Sequence, residues 1–448
     1  MSEHVGYVVK VKELRKHTNA DRMLVATFFG NDTCVDLNVA VGDKGIYFPT
    51  DLQLSVEFCD QNNLVRKKDE EGNNIGGYMD PDKRNVTTIK LRGEKSDGLY
   101  LPISCLAYTG IDVESLEPGT PISVVNGHEI CTKYIPRRNV RTSYVDHKGN
   151  RTRKKTAPIA PLFVEHADTE QLAYNLEAFK PGDLVEITLK MHGTSQRTGY
   201  LPVFQKYHRT LWDRLTGKEG TPIYDWGYVT GTRRTVLETF EGGFYGSNEF
   251  RSPHAKFFEG KLHKGEEVYY EVVGFQTSGA PIMGSAENKK TGDKEFVKQY
   301  GKTTTFSYGC EPGESDFYVY RMTCVNEDGD LVEYSPAYMR YRCEQMGCKT
   351  VPVFWKGYIP DYYQLPDAVG SLTAINAGEY IKNIAEQFYD GPDPVGKTHV
   401  REGVVIRLVD KPKFCAYKHK NFYFKALEGI VKAEAEAPDM EEAEEINA

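Results

Sequence analysis

Short runs in which apolar and polar residues alternate, separated by Gly, Asn and Asp, constrain the fold of this chain most strongly. They fill residues 5 to about 125, for example Val5–Val11 and Val41–Phe48. A period of two places successive side chains on opposite faces of a strand, and the separating residues favour turns. This part of the chain is therefore predicted to form a small β barrel or sandwich.

The chain is long enough for more than this one domain. It has 448 residues, which exceeds what a single hydrophobic core usually organises. For residues 1–128 we prefer a five-stranded OB-like β-barrel, although other small β folds fit the same pattern. Residues 161–430 mix strands with occasional helices and contain no Gly-rich phosphate loop, which predicts an α+β domain of mainly antiparallel sheets with flanking helices.

Charge is distributed unevenly along the chain. The formal net charge is −8, which by itself argues against a nucleic-acid partner. However, residues 129–160 are rich in Lys and Arg, so we predict a basic linker there that serves as a solvated hinge, as a phosphate-backbone contact, or as both. Residues 431–448 are rich in Ala and Glu and are expected to be an acidic disordered tail.

Targeting signals and cysteine usage indicate the compartment. No window approaches the roughly 18 apolar residues that a membrane helix needs, and the first residues do not open a signal peptide. Nine cysteines are scattered rather than regularly spaced, so reduced thiols are expected. We therefore expect a cytoplasmic protein with no membrane partner.

The segment Leu184–Ser195 carries the first candidate for chemistry. A β-branched strand ends at Lys190 and is followed by a turn that contains Gly193. An ε-amine becomes a nucleophile when it loses its proton, which nearby cations or desolvation promote. Gly193 would let the backbone approach a phosphate closely. Alone, this K-x-x-G pattern is weak, and the alternative is a surface lysine at a strand end.

Two downstream strands carry side chains that suit a nucleoside. Glu271 is a single carboxylate in the apolar segment Val268–Phe275. An unpaired charge there is costly, so its partner is either a ribose hydroxyl or a neighbouring basic residue. In Asp316–Met322, Tyr318 and Tyr320 share one strand face and offer a stacking surface for a purine, although such alternation is also typical of a core.

A pair of lysines near the end of the chain suits a triphosphate. Lys418 and Lys420 point the same way in an extended strand, and the alternative is a solvated strand face. Two cations at one place would neutralise the α-phosphate as charge moves towards pyrophosphate. They would also discourage protonation of an attacking lysine.

Five segments in this order, K-M-H-G-T-S, Y-Y-E-V-V-G-F, F-Y-V-Y-R-M, R-E-G-V-V and K-H-K, resemble the motifs of the covalent nucleotidyltransferase superfamily. That superfamily includes DNA ligases, RNA ligases and mRNA capping enzymes. The resemblance implies that Lys190 is the nucleotidyl acceptor and that Glu271 contacts the ribose. It also implies that Tyr320 stacks on the base, with Tyr318 as the less favoured candidate.

The same resemblance assigns the remaining motifs to phosphate and metal. Lys418 and Lys420 would contact the α-phosphate of ATP. Glu402 would help to hold a catalytic metal through water. A carboxylate is a hard oxygen donor that suits Mg²⁺ or Mn²⁺, and the sequence does not distinguish between these ions.

Two further segments are more similar to RNA ligases than to DNA ligases. His192 stands at the third position of K-M-H-G, where DNA ligases usually carry aspartate. The segment Phe163–Leu172 is similar to a region that lines the adenine pocket of RNA ligases, and Glu170 and Gln171 are the candidates there. The alternative for these two residues is a capped helix N-terminus.

A basic motif follows the nucleophile. Gly231–Thr235 is similar to the RNA-ligase motif that grips phosphate at the end being joined. The resemblance assigns that role to Arg233 and Arg234, and Arg197 is expected to assist.

Domain order narrows the family. DNA ligases and capping enzymes place an OB domain after the last lysine motif, whereas here the candidate barrel comes first. This order resembles the fifth family of RNA ligases, and the similarity covers nearly the whole chain, with 161–430 as the nucleotidyltransferase (adenylation) domain. It departs from the family at Arg209 to Gly227 and in the acidic tail.

The resemblance implies an ATP-dependent RNA ligase that acts through lysyl-AMP and an adenylated 5'-end. Its partners would be RNA ends or a nicked duplex with a 3'-hydroxyl and a 5'-phosphate, joined in RNA repair by a monomer. Three alternatives remain: a capping-type guanylyltransferase, a DNA ligase, and a non-catalytic OB-fold nucleic-acid binding protein.

Overall fold

The computed structural model describes residues 4–50, 52–68, 71, 75–134, 157–166, 169–216, 218, 220–241, 247–326, 328–366 and 372–434. Most of the predicted basic linker and most of the predicted acidic tail lie outside these residues, and residues 431–434 of that tail belong to a helix.

The N-terminal unit is built from thirteen short strands and one α-helix within the described residues. The strands are β1 Gly6–Lys10, β2 Leu14–Lys16, β3 Met23–Phe28, β4 Asn31–Asp36, β5 Lys44–Phe48, β6 Leu52–Leu54, β7 Thr88–Leu91, β8 Glu94–Asp97, β9 Leu99–Pro102, β10 Pro121–Ile122, β11 Val124–Val125, β12 His128–Glu129 and β13 Cys131–Lys133, and the helix is α1 Val56–Gln61. Strand β13 pairs with β6, so the start of the predicted linker belongs to this unit.

These strands form separate sheets. One sheet has the order β10-β1-β5-β9, another β2-β3-β4, and the others are two-stranded pairs. No closed barrel is present among the described residues of this unit, so the predicted OB barrel is not confirmed. Alternation fixes which face of a strand is buried, but it does not fix which strands pair, and therefore it cannot dictate closure.

The C-terminal unit contains two five-stranded sheets. Its strands are β14 Glu170–Gln171, β15 Leu184–Lys190, β16 Thr194–His208, β17 Thr221–Gly231, β18 Glu266–Gly274, β19 Ala286–Glu287, β20 Thr303–Thr304, β21 Ser315–Val325, β22 Leu331–Glu333, β23 Val353–Tyr358, β24 Gln364–Pro366, β25 Leu372–Ala374, β26 Gly403–Leu408 and β27 Ala416–Lys420. Sheet 1 has the order β14-β27-β26-β15-β23, and sheet 2 has the order β17-β16-β18-β21-β22. Every pairing in them is antiparallel except that of β14 with β27.

Helices flank these sheets, which confirms the predicted α+β class. They are α2 Leu211–Thr216, α3 Ser252–Phe257, α4 Lys294–Tyr300, α5 Pro336–Met346, α6 Ala377–Glu386 and α7 Phe422–Glu434. Helix α6 packs Ile381 and Ala385 against Ile187 and Val404 on one face of sheet 1. Burial of that face leaves the opposite face of sheet 1 to form a cavity wall.

The two units are in direct contact. Tyr174 of the C-terminal unit stacks on Tyr7 with ring centroids 5.0 Å apart and lies in the N-terminal core. Lys425 of α7 forms an ion pair with buried Asp97. The Nζ atom of Lys90 lies 2.5 Å from Asp293 Oδ2. Helix α7 therefore packs beside the N-terminal unit.

Among the described residues, no helix combines the length and the apolar character needed to cross a membrane.

Candidate active site

Strand β15 places Lys190 on the open face of sheet 1. Glu186, Thr188 and Lys190 alternate with the buried residues Val185, Ile187 and Leu189, which face the core. Lys190 ends the strand beside Gly403 of β26. The next three residues connect β15 of sheet 1 directly to β16 of sheet 2. Lys190 therefore lies where the two sheets meet.

Glu402 is an acidic partner of Lys190. The Nζ atom of Lys190 lies 2.8 Å from Glu402 Oε1, and Glu402 is almost fully buried. Burial raises the pKa of Glu402 above its usual value, while the nearby Lys190 and Lys420 partly offset this effect. Its other oxygen, Oε2, is buried and accepts no hydrogen bond among the described residues.

That unused oxygen suits a divalent cation. A buried carboxylate oxygen without a donor is an available hard ligand for Mg²⁺ or Mn²⁺. No cluster of three or more His, Cys, Asp or Glu side chains able to hold a metal occurs in the described part of the chain. The expected contact of Glu402 with such an ion through water stays a prediction.

The predicted lysine pair lies on the same face of sheet 1. Lys418 and Lys420 line one cavity together with Lys190, and the ring of His419 between them stacks on Tyr389 with centroids 4.8 Å apart. The Nζ atom of Lys420 lies 3.0 Å from both carboxylate oxygens of Glu428 and 3.8 Å from Glu402 Oε1. The site thus alternates cations with carboxylates.

Glu271 faces this site from sheet 2. It pairs with Ser195 across β18 and β16, and its Oε1 atom accepts a hydrogen bond of 3.1 Å from the backbone N–H of Gly193. Glu271 lines the cavity with Lys190.

Tyr320 and Tyr318 have different surroundings although they are two residues apart. Tyr320 lines the cavity, and its hydroxyl lies 3.0 Å from Ser195 Oγ. Tyr318 is buried in the core of sheet 2, and its hydroxyl donates to Asp316 Oδ2. The structure therefore brings Tyr320 to the cavity and leaves Tyr318 in the core.

His192 lies in the turn behind the lysine. Its ring contacts the edges of Phe306 and Phe424, with both centroid distances 4.6 Å. Its Nδ1 atom lies 3.9 Å from Glu402 Oε2, and its backbone N–H donates to Tyr308 Oη at 2.6 Å. These contacts hold the turn in one position.

The three arginines predicted to contact phosphate lie in different surroundings. Arg233 lines both cavities beside Lys190, whereas Arg234 is exposed and is absent from the cavity lining. Arg197 is only 1% exposed, and its Nη1 atom lies 3.2 Å from Glu267 Oε1.

Arg197 has a structural environment rather than a phosphate-binding one. It donates to the backbone carbonyls of Val164 and Thr232 at 2.8 Å, and its guanidinium stacks on Phe163. We therefore correct its predicted phosphate contact: this side chain is buried and ties the 163–166 segment and the Arg233 loop to sheet 2. The signal for this burial, Glu267, lies 70 residues away and is not local.

Glu170 and Gln171 form strand β14, and Gln171 is also the residue directly before a short 3₁₀ helix, Leu172–Tyr174, which has no side-chain cap. Gln171 pairs with Lys418 and lines the cavity, whereas Glu170 pairs with Tyr417 on the core-facing side. The structure therefore brings Gln171 to the site and leaves Glu170 away from it.

The open face of sheet 1 and strands β18 and β21 of sheet 2 border two adjoining cavities. One is mainly polar and is lined by lysines 190, 418 and 420. The other is more apolar and is lined by Tyr320, Met339, Val351 and Phe414. Lys190 and Glu271 line both. This arrangement suits a molecule with a flat apolar part and an anionic part, joined beside an amine nucleophile.

Several residues of this site have no signal in the sequence. Glu428, the partner of Lys420, lies eight residues downstream on α7. Arg340 of α5 forms a bidentate salt bridge with Glu186 in the cavity wall, with nitrogen–oxygen distances of 2.8 and 2.7 Å. Both contacts depend on how helices dock on sheet 1, which a local pattern does not reveal.

Solved structures with a similar fold are RNA ligase structures from Naegleria gruberi. A mutant of that ligase with AMP and Mn has a TM-score of 0.51 and 15% identity, covering 94% of this chain and 98% of that chain. The ligase with PPi has a TM-score of 0.52 and 16% identity, with coverage of 94% and 97%. An apo mutant has a TM-score of 0.52 and 16% identity, with coverage of 95% and 98%.

No protein-family profile matches the chain, and no curated protein matches it. At 15 to 16% identity, the structural likeness shows a shared fold over nearly the whole chain.

Proposed function

We propose that the protein is an ATP-dependent RNA ligase that forms a covalent adenylate on Lys190. The observation that carries the proposal is the position of Lys190, 2.8 Å from buried Glu402, where a cation-lined cavity adjoins an apolar one. The fold shared with a Naegleria gruberi RNA ligase, solved with AMP, Mn and PPi, supports the same activity and nucleotide.

In the first step the Lys190 amine attacks the α-phosphorus of ATP. A nitrogen–phosphorus bond forms, the bond to the bridging oxygen breaks, and pyrophosphate leaves. Glu402 holds the lysine ammonium, and its raised pKa makes it a better proton acceptor than an exposed carboxylate. Lys418 and Lys420 stabilise the charge on the phosphate and favour the neutral amine.

The nucleoside is held from sheet 2. Tyr320 stacks on the adenine in the apolar cavity, and Glu271 accepts a hydrogen bond from a ribose hydroxyl. Gly193 lets the α-phosphate approach the turn, and His192 holds the turn against Phe306 and Phe424. Gln171 and Arg233 extend the polar wall.

Glu402 would hold Mg²⁺ or Mn²⁺ mostly through water, and the bound ion would neutralise charge on the phosphate oxygens. In the second step an oxygen of a 5'-phosphate, which Arg233 contacts, attacks the phosphorus of the lysyl-AMP; the nitrogen–phosphorus bond breaks and Lys190 regains its free amine. In the third, a 3'-hydroxyl attacks that activated end and AMP leaves. The substrates are RNA ends or nicks in repair, and the N-terminal unit is an OB-like module that holds RNA in a cytoplasmic, monomeric enzyme.

The direct test is incubation of the full chain with labelled ATP and Mg²⁺ or Mn²⁺, followed by mass spectrometry of the peptide that contains Lys190. We expect one added AMP on Lys190 and none in Lys190→Ala. The control is Lys411→Ala, because Lys411 pairs with Asp183 on the surface and is absent from the cavity lining.

Two further arms separate the alternatives. Labelling from GTP instead of ATP would indicate a guanylyltransferase, and equal sealing of all-DNA and RNA-containing nicks would indicate a DNA ligase. Absence of AMP on Lys190 under every metal condition would overturn the proposal.

A further inference from the structure

The hairpin β16–β17 extends far beyond the cavity. The start of β16 and the end of β17 both lie next to the site in sequence. Strand β16 begins four residues after Lys190, and β17 ends two residues before Arg233. Pairing continues along the strands to His208 and Thr221. At about 3.3 Å per residue, the strand from Thr194 to His208 reaches about 45 Å.

The tip of this hairpin exposes a compact apolar group. Leu211, Trp212 and Leu215 of α2 are 79%, 69% and 81% exposed, which makes them the three most exposed large apolar side chains of the described residues. Single exposed apolar residues are common, but three on one short helix indicate a contact surface. We define the hairpin tip as these three residues together with Lys206, Arg209 and Lys218.

The tip has a defined conformation. Thr210 donates from both its backbone N–H and its hydroxyl to Asp213 Oδ2, at 3.0 and 2.7 Å, and Asp213 N–H donates back to Thr210 Oγ1 at 3.2 Å. These reciprocal bonds cap α2. They also engage Asp213, the acid within the helix, in a local contact.

The charge of the tip favours an anionic partner. Lys206, Arg209 and Lys218 are exposed beside the apolar group, although the whole chain has a net charge of −8. The backbone N–H of Ala157 donates to Tyr207 Oη at 2.7 Å on the same distal half of the hairpin. Residues 135–156, which immediately precede Ala157 in the sequence, contain eight Lys or Arg and one acid.

We infer that the hairpin tip binds the RNA substrate at a distance from the reacting ends. Trp212 stacks on a base, Leu211 and Leu215 cover its edge, and the cations contact the phosphate backbone. An aromatic side chain interleaved with cations is the arrangement that binds nucleic acid without sequence preference. Because the same hairpin borders the cavity, RNA held at its tip would be aligned with the site. This inference rests on the proposed function and extends it to the substrate.

The test compares RNA binding by the full chain and by a triple variant, Leu211→Ser, Trp212→Ser and Leu215→Ser. The matched control is Val353→Ser, Tyr358→Ser and Tyr362→Ser, which removes three exposed apolar side chains outside the N-terminal unit, the cavities and the hairpin tip. Fluorescence anisotropy with labelled single-stranded RNA is expected to show at least about tenfold weaker binding for the tip variant, within the range that loss of base stacking gives. The control variant should bind like the parent.

A charge variant tests the same surface independently of α2. Lys206→Gln with Lys218→Gln should lower the slope of log affinity against log salt by about 0.7 for each lost phosphate contact.

The results separate this inference from the proposed function. Equal RNA affinity of the tip and control variants overturns the inference, including the case in which light scattering shows that the tip instead joins two protein molecules. Failure of the parent to acquire AMP on Lys190 overturns the proposed activity, whereas the binding comparison still decides the RNA surface.

Discussion

Tyr320 and Tyr318 provide a matched pair at the scale of single residues. Tyr320 lines the apolar cavity, whereas Tyr318 is in the core. We expect Tyr320→Ala to raise the ATP concentration needed for half-maximal lysyl-AMP formation by about 5- to 150-fold, because it removes a stacking surface for the base. Tyr318→Phe removes only the hydroxyl that donates to Asp316 and should leave that concentration unchanged.

The measurement is AMP incorporation against ATP concentration at a fixed time in the linear range. Tyr320→Phe is the conservative variant, since it keeps the ring and loses only the contact with Ser195. An unchanged ATP dependence in Tyr320→Ala would contradict the role of this ring.

Single residues were predictable where a motif fixed both their type and their strand face. Lys190, Glu271 and Glu402 fall into such motifs, and the structure brings them to one cavity. Arg197 was not predictable, because its burial depends on a contact with Glu267, which is far away in sequence. Roles for the assembled residues remain predictions that the labelling experiments test.

At the scale of elements, the turn between β15 and β16 depends on Gly193. A Cβ atom built at Gly193 would lie 2.3 Å from the carbonyl oxygen of Val272 and 3.0 Å from Glu271 Cγ. We expect Gly193→Ala to displace the turn and to lower the rate of lysyl-AMP formation by about a hundredfold, since misplacement of a nucleophile by about 1 Å has an effect of that size.

The rate is measured by a single-turnover reaction with labelled ATP, and thermal unfolding is recorded in parallel. Gly182→Ala is a useful comparison, because no atom lies within 4 Å of its added Cβ, although its positive φ adds local strain. Wild-type labelling kinetics in Gly193→Ala would show that the close approach does not position the lysine.

The positions of strands were predicted better than the pairing between strands. Alternation located the strand that ends at Lys190 and the strand that carries Lys418 and Lys420, and both are present as β15 and β27. The irregular register between β18 and β21 near Tyr270 was not predictable, because a bulge arises from pairing between strands about 50 residues apart.

At the scale of the whole molecule, contacts through α7 hold the two units together. Asp97 is buried, accepts from the Thr88 hydroxyl at 2.7 Å and forms an ion pair with Lys425. We expect Asp97→Ala to lower the free energy of unfolding by about 3 kcal/mol, since it leaves a partly buried ammonium and a hydroxyl without their acceptor.

Urea unfolding of Asp97→Ala, Lys425→Met and the double variant would measure the coupling between the two side chains. Asp21→Ala, a change of an exposed aspartate in the same unit, is the control. Additive effects of the two single changes would show that the ion pair does not join the units.

The order of the two units was predictable from the order of the motifs. Whether the strands of the N-terminal unit close into a barrel was not. The order of the sequence patterns predicted a β unit ahead of the unit that carries Lys190, Lys418 and Lys420. The sequence did not indicate that Tyr174 of the second unit packs in the core of the first, because such docking has no periodic signature.

The junction at Lys190 has a consequence for the proposed intermediate. Lys190 belongs to sheet 1, whereas Glu271 and Tyr320 belong to sheet 2. An AMP bonded to Lys190 and also contacted by Glu271 and Tyr320 would cross-link the two sheets, covalently at the Lys190 end. The chain itself joins these sheets directly through only the three residues between β15 and β16. The protein carrying AMP on Lys190 would thus be more rigid between the two sheets than the protein without nucleotide. Transfer of the AMP to RNA would restore the more flexible form.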